Sequence, residues 1–146
     1  AKKQGYAEVI YLDAAEEKYI EEVGAANFFA IYGNKLITPK LTGSILPGIT
    51  RNSILFLAKN KLGMKIEERK ISIDEALKAD EVFCAGTAAI ISPIGSIKYQ
   101  NKEYEFSKSD VGKITRQLYD ILTGIQFGET EDEYGWITKL WMKMNL

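Results

Sequence analysis

The sequence predicts one mixed α/β domain. Short runs rich in β-branched and aromatic residues recur along it, as in Tyr6–Leu12, Asn27–Tyr32 and Glu81–Ala85, and read as strands. Two longer stretches place apolar residues at helical spacing instead, over Ile49–Leu62 and Val111–Ile125. No internal repeat, linker or low-complexity tract interrupts the 146 residues. Residues 1–146 are therefore read as a single domain, with a tail over 129–146.

The elements follow in order. Ala1–Gln4 reads as the last turn of a helix stopped by Gly5, so the chain is expected to begin inside a domain, truncated on its N-terminal side. A strand over Tyr6–Leu12 ends at Asp13, and Ala14–Lys18 is a turn. Asn27–Tyr32 and Lys35–Thr38 flank the hairpin signal Gly33-Asn34, and Pro39 ends the pair. Leu41–Pro47 is a loop. The first helix follows, with Ile49, Ile54, Leu55, Leu57, Ala58 and Leu62 on its apolar side and Gly63 as its stop. Met64–Ile71 reads as a strand. Ser72-Ile73-Asp74-Glu75 has the form of a capping box, which predicts a short helix to about Lys78. Glu81–Ala85 is a strand, Gly86-Thr87-Ala88 breaks it, and Ala89–Ile94 resumes extended structure. Ile97–Gln100 and Glu103–Phe106 flank a second hairpin at Asn101-Lys102. Ser109 or Asp110 is expected to cap the last helix, which carries Val111, Ile114, Leu118, Ile121, Leu122 and Ile125 on one face. The tail holds Trp136, Ile137, Leu140, Trp141 and Met144, spaced for a short amphipathic helix or for docking on a partner.

Composition excludes several function classes. A net charge of -1, with acids interleaved among the lysines and arginines, offers no field for nucleic acid or an anionic membrane. There is no histidine, which removes histidine-based triads and HExxH metal sites, and no metal is expected. No apolar run is long enough to span a membrane. The one cysteine, Cys84, lies in the apolar run Val82–Ala85 and is expected to be buried as a small hydrophobe. A single thiol cannot form an internal disulfide; it fits a reducing, cytoplasmic setting.

Three features bear on chemistry. Pro47-Gly48-Ile49-Thr50-Arg51 opens a helix, where leading N–H groups lack intrahelical partners and the dipole is positive. A phosphate there would accept those N–H groups and the Thr50 hydroxyl, with Gly48 permitting close approach. Gly86-Thr87-Ala88 after a strand is a second anion cradle. Glu22, leading into a strand, would keep a heteroaromatic nitrogen protonated if held against it. Singly, each has a plainer reading as a helix start, a turn or a surface carboxylate.

Together they resemble the class IV pyridoxal-phosphate aminotransferases. The family pattern is met by Glu22, Gly24, Asn27, Phe28 and Phe29, then Thr38, then Leu46, Gly48, Ile49 and Arg51. Phe83-Cys84-Ala85-Gly86-Thr87-Ala88 is similar to the family's second phosphate and substrate loop. Ile45–Arg51 and Asp120–Gly128 look most like branched-chain amino-acid aminotransferases.

The resemblance implies the larger, C-terminal domain of the D-amino-acid aminotransferase-like, type IV fold. It implies pyridoxal 5'-phosphate as cofactor, with Glu22 at the pyridine nitrogen and Leu46 against the ring. Gly48, Ile49 and Thr50 would hold the phosphate, with Thr87 completing the cup. Thr87 and Ala88 would meet the substrate α-carboxylate. Ala25 would lie beside the substrate, where some relatives carry a hydroxyl. Asn27 is expected to brace the loop after Glu22, and Arg51 to pair with a carboxylate.

The family's cofactor-bearing lysine lies further upstream of the glutamate than this chain reaches, and Lys2, Lys3 and Lys18 do not match its place. No catalytic residue is therefore assigned, and the chain alone is expected to be inactive. The longer enzyme is expected to be a homodimer, with amino acids and 2-oxo acids as substrates and an N-terminal domain as partner. The alternatives are a D-amino-acid aminotransferase, an aminodeoxychorismate lyase, or a non-catalytic phosphate-ligand-binding module.

Overall fold

The computed structural model describes residues 3, 5–106 and 111–138. The centre of the fold is a 7-stranded sheet. Its strands are β1 (Ile10–Leu12), β2 (Ile20–Val23), β3 (Ala26–Tyr32), β4 (Lys35–Thr38), β5 (Lys65–Glu68), β6 (Glu81–Gly86) and β7 (Ile90–Pro93). β8 (Ser96–Tyr99) and β9 (Lys102–Glu105) form a separate hairpin. The helices are α1 (Ile49–Asn60), α2 (Ile73–Ala76) and α3 (Lys113–Gln126).

β3 organises the sheet. β6 runs antiparallel along one edge, pairing Asn27 with Ala85 through to Ile31 with Glu81. The other edge is shared: β2 takes the first residues, with Glu22 opposite Asn27, and β4 takes the last, with Tyr32 opposite Lys35. The buried Thr38 hydroxyl donates to the Phe28 carbonyl at 2.7 Å, where this edge passes from β2 to β4. That contact gives Thr38 of the motif a structural task. α1 is the crossover between β4 and β5, which pair in parallel.

The two faces of β3 carry separate cores. Phe29 and Ile31, with Phe83 and Ala85 of β6, pack beneath Ile54 and Leu57 of α1 and Leu118 and Leu122 of α3. Phe28 and Ala30, with Val82, face the opposite way against Ile73 and Ala76 of α2 and Ile97 of β8. Alternation along one strand thus assigns its side chains to two layers.

Local signals explain most of the boundaries. Ser72 Oγ accepts the Glu75 N–H at 3.1 Å, as the capping box predicts. Gly63 follows the first helix at φ 62°, in the left-handed region a stop requires. Gly5 is at φ 85°, but Ala1, Lys2 and Gln4 of the turn expected before it lie outside the described residues. Several readings need correction. The first strand covers only Ile10–Leu12, because its partner β2 is itself short. β2 is a strand the sequence reading did not separate, since two adjacent glutamates conceal its buried Ile20 and Val23. β5 stops at Glu68 and α2 at Ala76. The second hairpin turns on Gln100-Asn101, both at positive φ, and Lys102 is already in β9.

The last helix starts at Lys113, so Val111 precedes it. Ser109 and Asp110 lie outside the described residues. The observed cap comes from elsewhere: the Glu81 carboxylate of β6 accepts the N–H groups of Ile114 and Thr115 and the Thr115 hydroxyl, at 2.7–3.0 Å. A Cβ at Gly112 would collide with that carboxylate, so glycine is required beside it.

The tail begins by docking on this chain's own α1. Tyr134 and Trp136 meet Phe56 edge-on, and Lys61 pairs with Glu133 at 2.8 Å. Residues 131–138 form a turn and irregular segment rather than helix, and Leu140, Trp141 and Met144 lie outside the described residues.

A charged network covers β4, β5 and α2. Glu67 pairs with Arg69 at 3.0 Å and Lys35 at 3.1 Å, and Arg69 also grips Glu75. The Arg69 guanidinium, then Lys35, hold the Glu67 carboxyl at about 2, against its usual 4.5. A depressed folded value means stability that is present above pH 4.5 and lost as pH falls toward 2. Glu67→Gln is therefore expected to lower the thermal midpoint near neutral pH. The gap from the parent chain should close across that acid window, and also on adding salt. A gap unchanged down to the acid end would remove Glu67 from the stability account.

Candidate cofactor site

The site forms on the face of the sheet that carries α1. Glu22 and Asn27 stand opposite one another on β2 and β3, so their side chains leave the same face. Both reach the loop before α1 and take hold of one residue. The Glu22 Oε1 accepts the Leu46 N–H at 3.0 Å, and Asn27 Nδ2 donates to the Leu46 carbonyl at 2.9 Å. Gly48 N–H also donates to that carbonyl at 2.8 Å, closing a tight turn around Pro47. Asn27 is 4% exposed, Glu22 half-buried.

α1 starts directly after this turn. Gly48 is its N-cap residue, with no side-chain cap and no acidic residue in the first turn. The first helical bond runs from Asn52 N–H to the Gly48 carbonyl, so the N–H groups of Ile49, Thr50 and Arg51 point out of the helix end by position. Ile49 is 84% exposed and Leu46 68%, a large apolar surface on both sides of the helix start. An uncapped, positively polarised end beside a glycine fits a phosphate, and the two exposed side chains fit an aromatic ring lying nearby. Arg51 turns away: its buried guanidinium donates to the Pro39 carbonyl at 3.0 Å and to Glu68 at 2.7 Å, the carboxylate pairing expected of it.

The second loop starts beside the turn between β2 and β3. A Cβ at Gly86 would lie 3.8 Å from the Ala25 carbonyl and from the Ala26 side chain. Thr87, Ala88 and Ala89 form the exposed turn between β6 and β7. Ile90 closes that turn at φ 54°, unusual for a β-branched residue. Its side chain packs against the α1–α3 core, which offsets the strain and holds the turn in one shape. β3 thus brings Glu22, Ala25, Leu46, Gly48 and the 86–88 turn to one end of the sheet. Asn27's hold on Leu46 joins residues distant in sequence and has no local signature.

Other features lie apart. A groove of about 610 Å³ runs on the opposite face, lined by residues such as Glu8, Val23, Cys84 and Ser92. Cys84 is half-buried there rather than fully enclosed, and burial raises its thiol pKa. Among the described residues, no set of three or more His, Cys, Asp and Glu side chains is arranged to hold a metal ion. Nor is any described helix long and apolar enough to cross a membrane.

A profile of the family described as Amino-transferase class IV matches residues 1–97. The chain belongs to the class IV aminotransferases. The matched span of this class IV chain includes Glu22, the α1 start and the Thr87 turn. It is 52% identical over 142 residues to the probable branched-chain-amino-acid aminotransferase of Staphylococcus aureus strain N315, covering 93% of this chain and 39% of that protein. It is 47% identical to the chloroplastic branched-chain amino acid aminotransferase 2 of Humulus lupulus, covering 96% of this chain and 34% of the relative. The class IV chain thus spans well under half the length of these relatives. Among solved structures, the Escherichia coli branched-chain amino acid aminotransferase superposes with TM-score 0.82 at 39% identity, over 93% of this chain and 42% of that one. The Thermobaculum terrenum enzyme in its PLP form gives 0.79 at 37% identity, over 89% and 40%. The class IV chain therefore has the mixed α/β, type IV fold of these enzymes.

Proposed function

We propose that this chain is the cofactor-holding, C-terminal portion of a branched-chain amino-acid aminotransferase. Completed by an N-terminal domain, it would move amino groups between leucine, isoleucine or valine and 2-oxoglutarate. The observation that carries the reading is the shared hold on Leu46: it joins a carboxylate, suited to a protonated ring nitrogen, to an uncapped helix end, suited to a phosphate. Both ends of pyridoxal phosphate are thereby provided for. The branched-chain amino-acid aminotransferases it resembles support that class of amino-acid substrate.

In this reading each residue has a limited task. Pyridoxal phosphate, when bound, supplies an electron sink for the substrate's α-carbon. Glu22 would keep the proton on the ring nitrogen. The Ile49 and Thr50 amides and the Thr50 hydroxyl would hold the phosphate, helped by Thr87, with Gly48 keeping the approach open. Leu46 would lie against the ring and exclude water from it. The Thr87 and Ala88 amides would orient the substrate carboxylate. Ala25, having no polar side-chain atom, would leave that side of the substrate without a hydrogen bond. The lysine that carries the cofactor and the rest of the substrate pocket would come from the N-terminal part. The whole enzyme would be a cytoplasmic homodimer.

The test is a titration of the chain with pyridoxal phosphate. Saturable binding is expected, weakened about tenfold or more in Glu22→Ala and in Thr50→Ala, the scale of losing a charge-assisted hydrogen bond. Adding the N-terminal part should give transamination of leucine. Activity on D-alanine alone would sink the branched-chain reading, and binding indifferent to both variants would sink the site.

A further inference from the structure

We infer that Asn27 is a positioning residue that sets the separation between the two ends of the site; the inference rests on the cofactor reading above. Glu22 and Asn27 hold the amide and the carbonyl of the same residue, Leu46. The same Asn27 also touches the other end, because its Oδ1 occupies the space a Cβ on Gly48 would need, 2.5 Å from that position. A continuous run of contacts therefore leads from the Glu22 carboxylate through residue 46 and Asn27 to the first turn of α1.

The residue type follows from these tasks. A primary amide offers a donor for the Leu46 carbonyl and a compact acceptor end against Gly48. Aspartate has the same shape but no donor, and would add a second negative charge beside Glu22 and any bound phosphate. Alanine would leave the Leu46 carbonyl with the Gly48 N–H alone. Because Asn27 is 4% exposed and fixed on β3, the spacing it sets does not wait on ligand binding. Such preorganisation benefits a ligand only if it engages both ends at once. A ring without a phosphate, or a phosphate without a ring, is indifferent to the spacing.

The test compares three probes on the full chain: pyridoxamine 5'-phosphate, pyridoxamine and inorganic phosphate. The amine form avoids reaction with surface lysines. In Asn27→Ala, affinity for pyridoxamine 5'-phosphate is expected to fall about tenfold, and for either half-ligand by less than about twofold. In a Glu22→Ala background the same substitution should cost little more, since one end of the ruler has already gone. Equal losses on all three probes, or no loss on the two-ended one, would overturn the positioning role. Should the alanine variant fail to fold, Asn27→Ser, which is uncharged and too short to span from Leu46 to Gly48, carries the same comparison. If the parent chain takes neither pyridoxamine 5'-phosphate nor phosphate, the cofactor reading itself falls, and this inference with it.

Discussion

Phe29→Ala is expected to lower the unfolding free energy by about 3–5 kcal/mol. Phe29 is fully buried and lies over Phe83 with ring centroids 4.7 Å apart and planes 6° from parallel. The two residues are direct partners across β3 and β6, so each ring is held from beneath by the sheet. Ile54 and Leu57 of α1 and Leu118 and Leu122 of α3 close the layer from above. A phenyl-sized void at this point cannot collapse without moving a helix off the sheet. Domains of this kind are stable by only about 5–15 kcal/mol, so the loss is a large fraction of the total. Urea denaturation should show it as a lower midpoint with an unchanged slope. The double variant with Phe83→Ala should lose less than the sum, because the stacked pair is removed once. A loss below about 1 kcal/mol would mean that the helices repack freely, contrary to the close-packed layer seen here.

Gly48→Ala is expected to damage both fold and site. The added methyl would lie 2.5 Å from Asn27 Oδ1, nearer than real contacts allow. Asn27 is buried on a central strand and cannot withdraw; rotating it would break its bond to the Leu46 carbonyl. The stability loss should be about 1–3 kcal/mol, the cost of overpacking with one buried hydrogen bond lost. The effect on pyridoxal phosphate binding should be larger than tenfold, since the turn feeding the Ile49 and Thr50 amides shifts with it. Combining Gly48→Ala with Asn27→Ala should restore part of the stability by making room for the methyl, but not the binding. Full binding in the single variant would show that the helix end is not where the phosphate lies.

Much of this architecture was legible in local residue patterns, and the reasons differ by element. Gly33-Asn34, Gly63 and the Ser72–Glu75 box each act within a few residues, so their signals are contained in short windows. β2 was hidden because its two middle residues are charged, and one of them, Glu22, faces the site rather than the core. The start of α3 was misplaced because its capping carboxylate is Glu81, more than thirty residues away, where no window would look. The family motif joins Glu22, Leu46, Gly48 and Ile49 in one pattern. Why Asn27 and Thr38 belong to the same pattern emerges only from the contacts: one holds Leu46, the other fills the gap between β2 and β4.

The Glu81 cap has a kinetic consequence. A helix normally carries its own starting signal, and can flicker into existence before the rest of the chain has collapsed. α3 lacks one among its described residues and borrows it from a strand at the middle of the sheet, itself paired to β3 and β7. Its first turn therefore acquires its acceptors only when β6 is in register. The most C-terminal of the described helices becomes a reporter on the centre of the sheet, and its opening amides should exchange with solvent in step with those of β6 rather than fraying ahead of them.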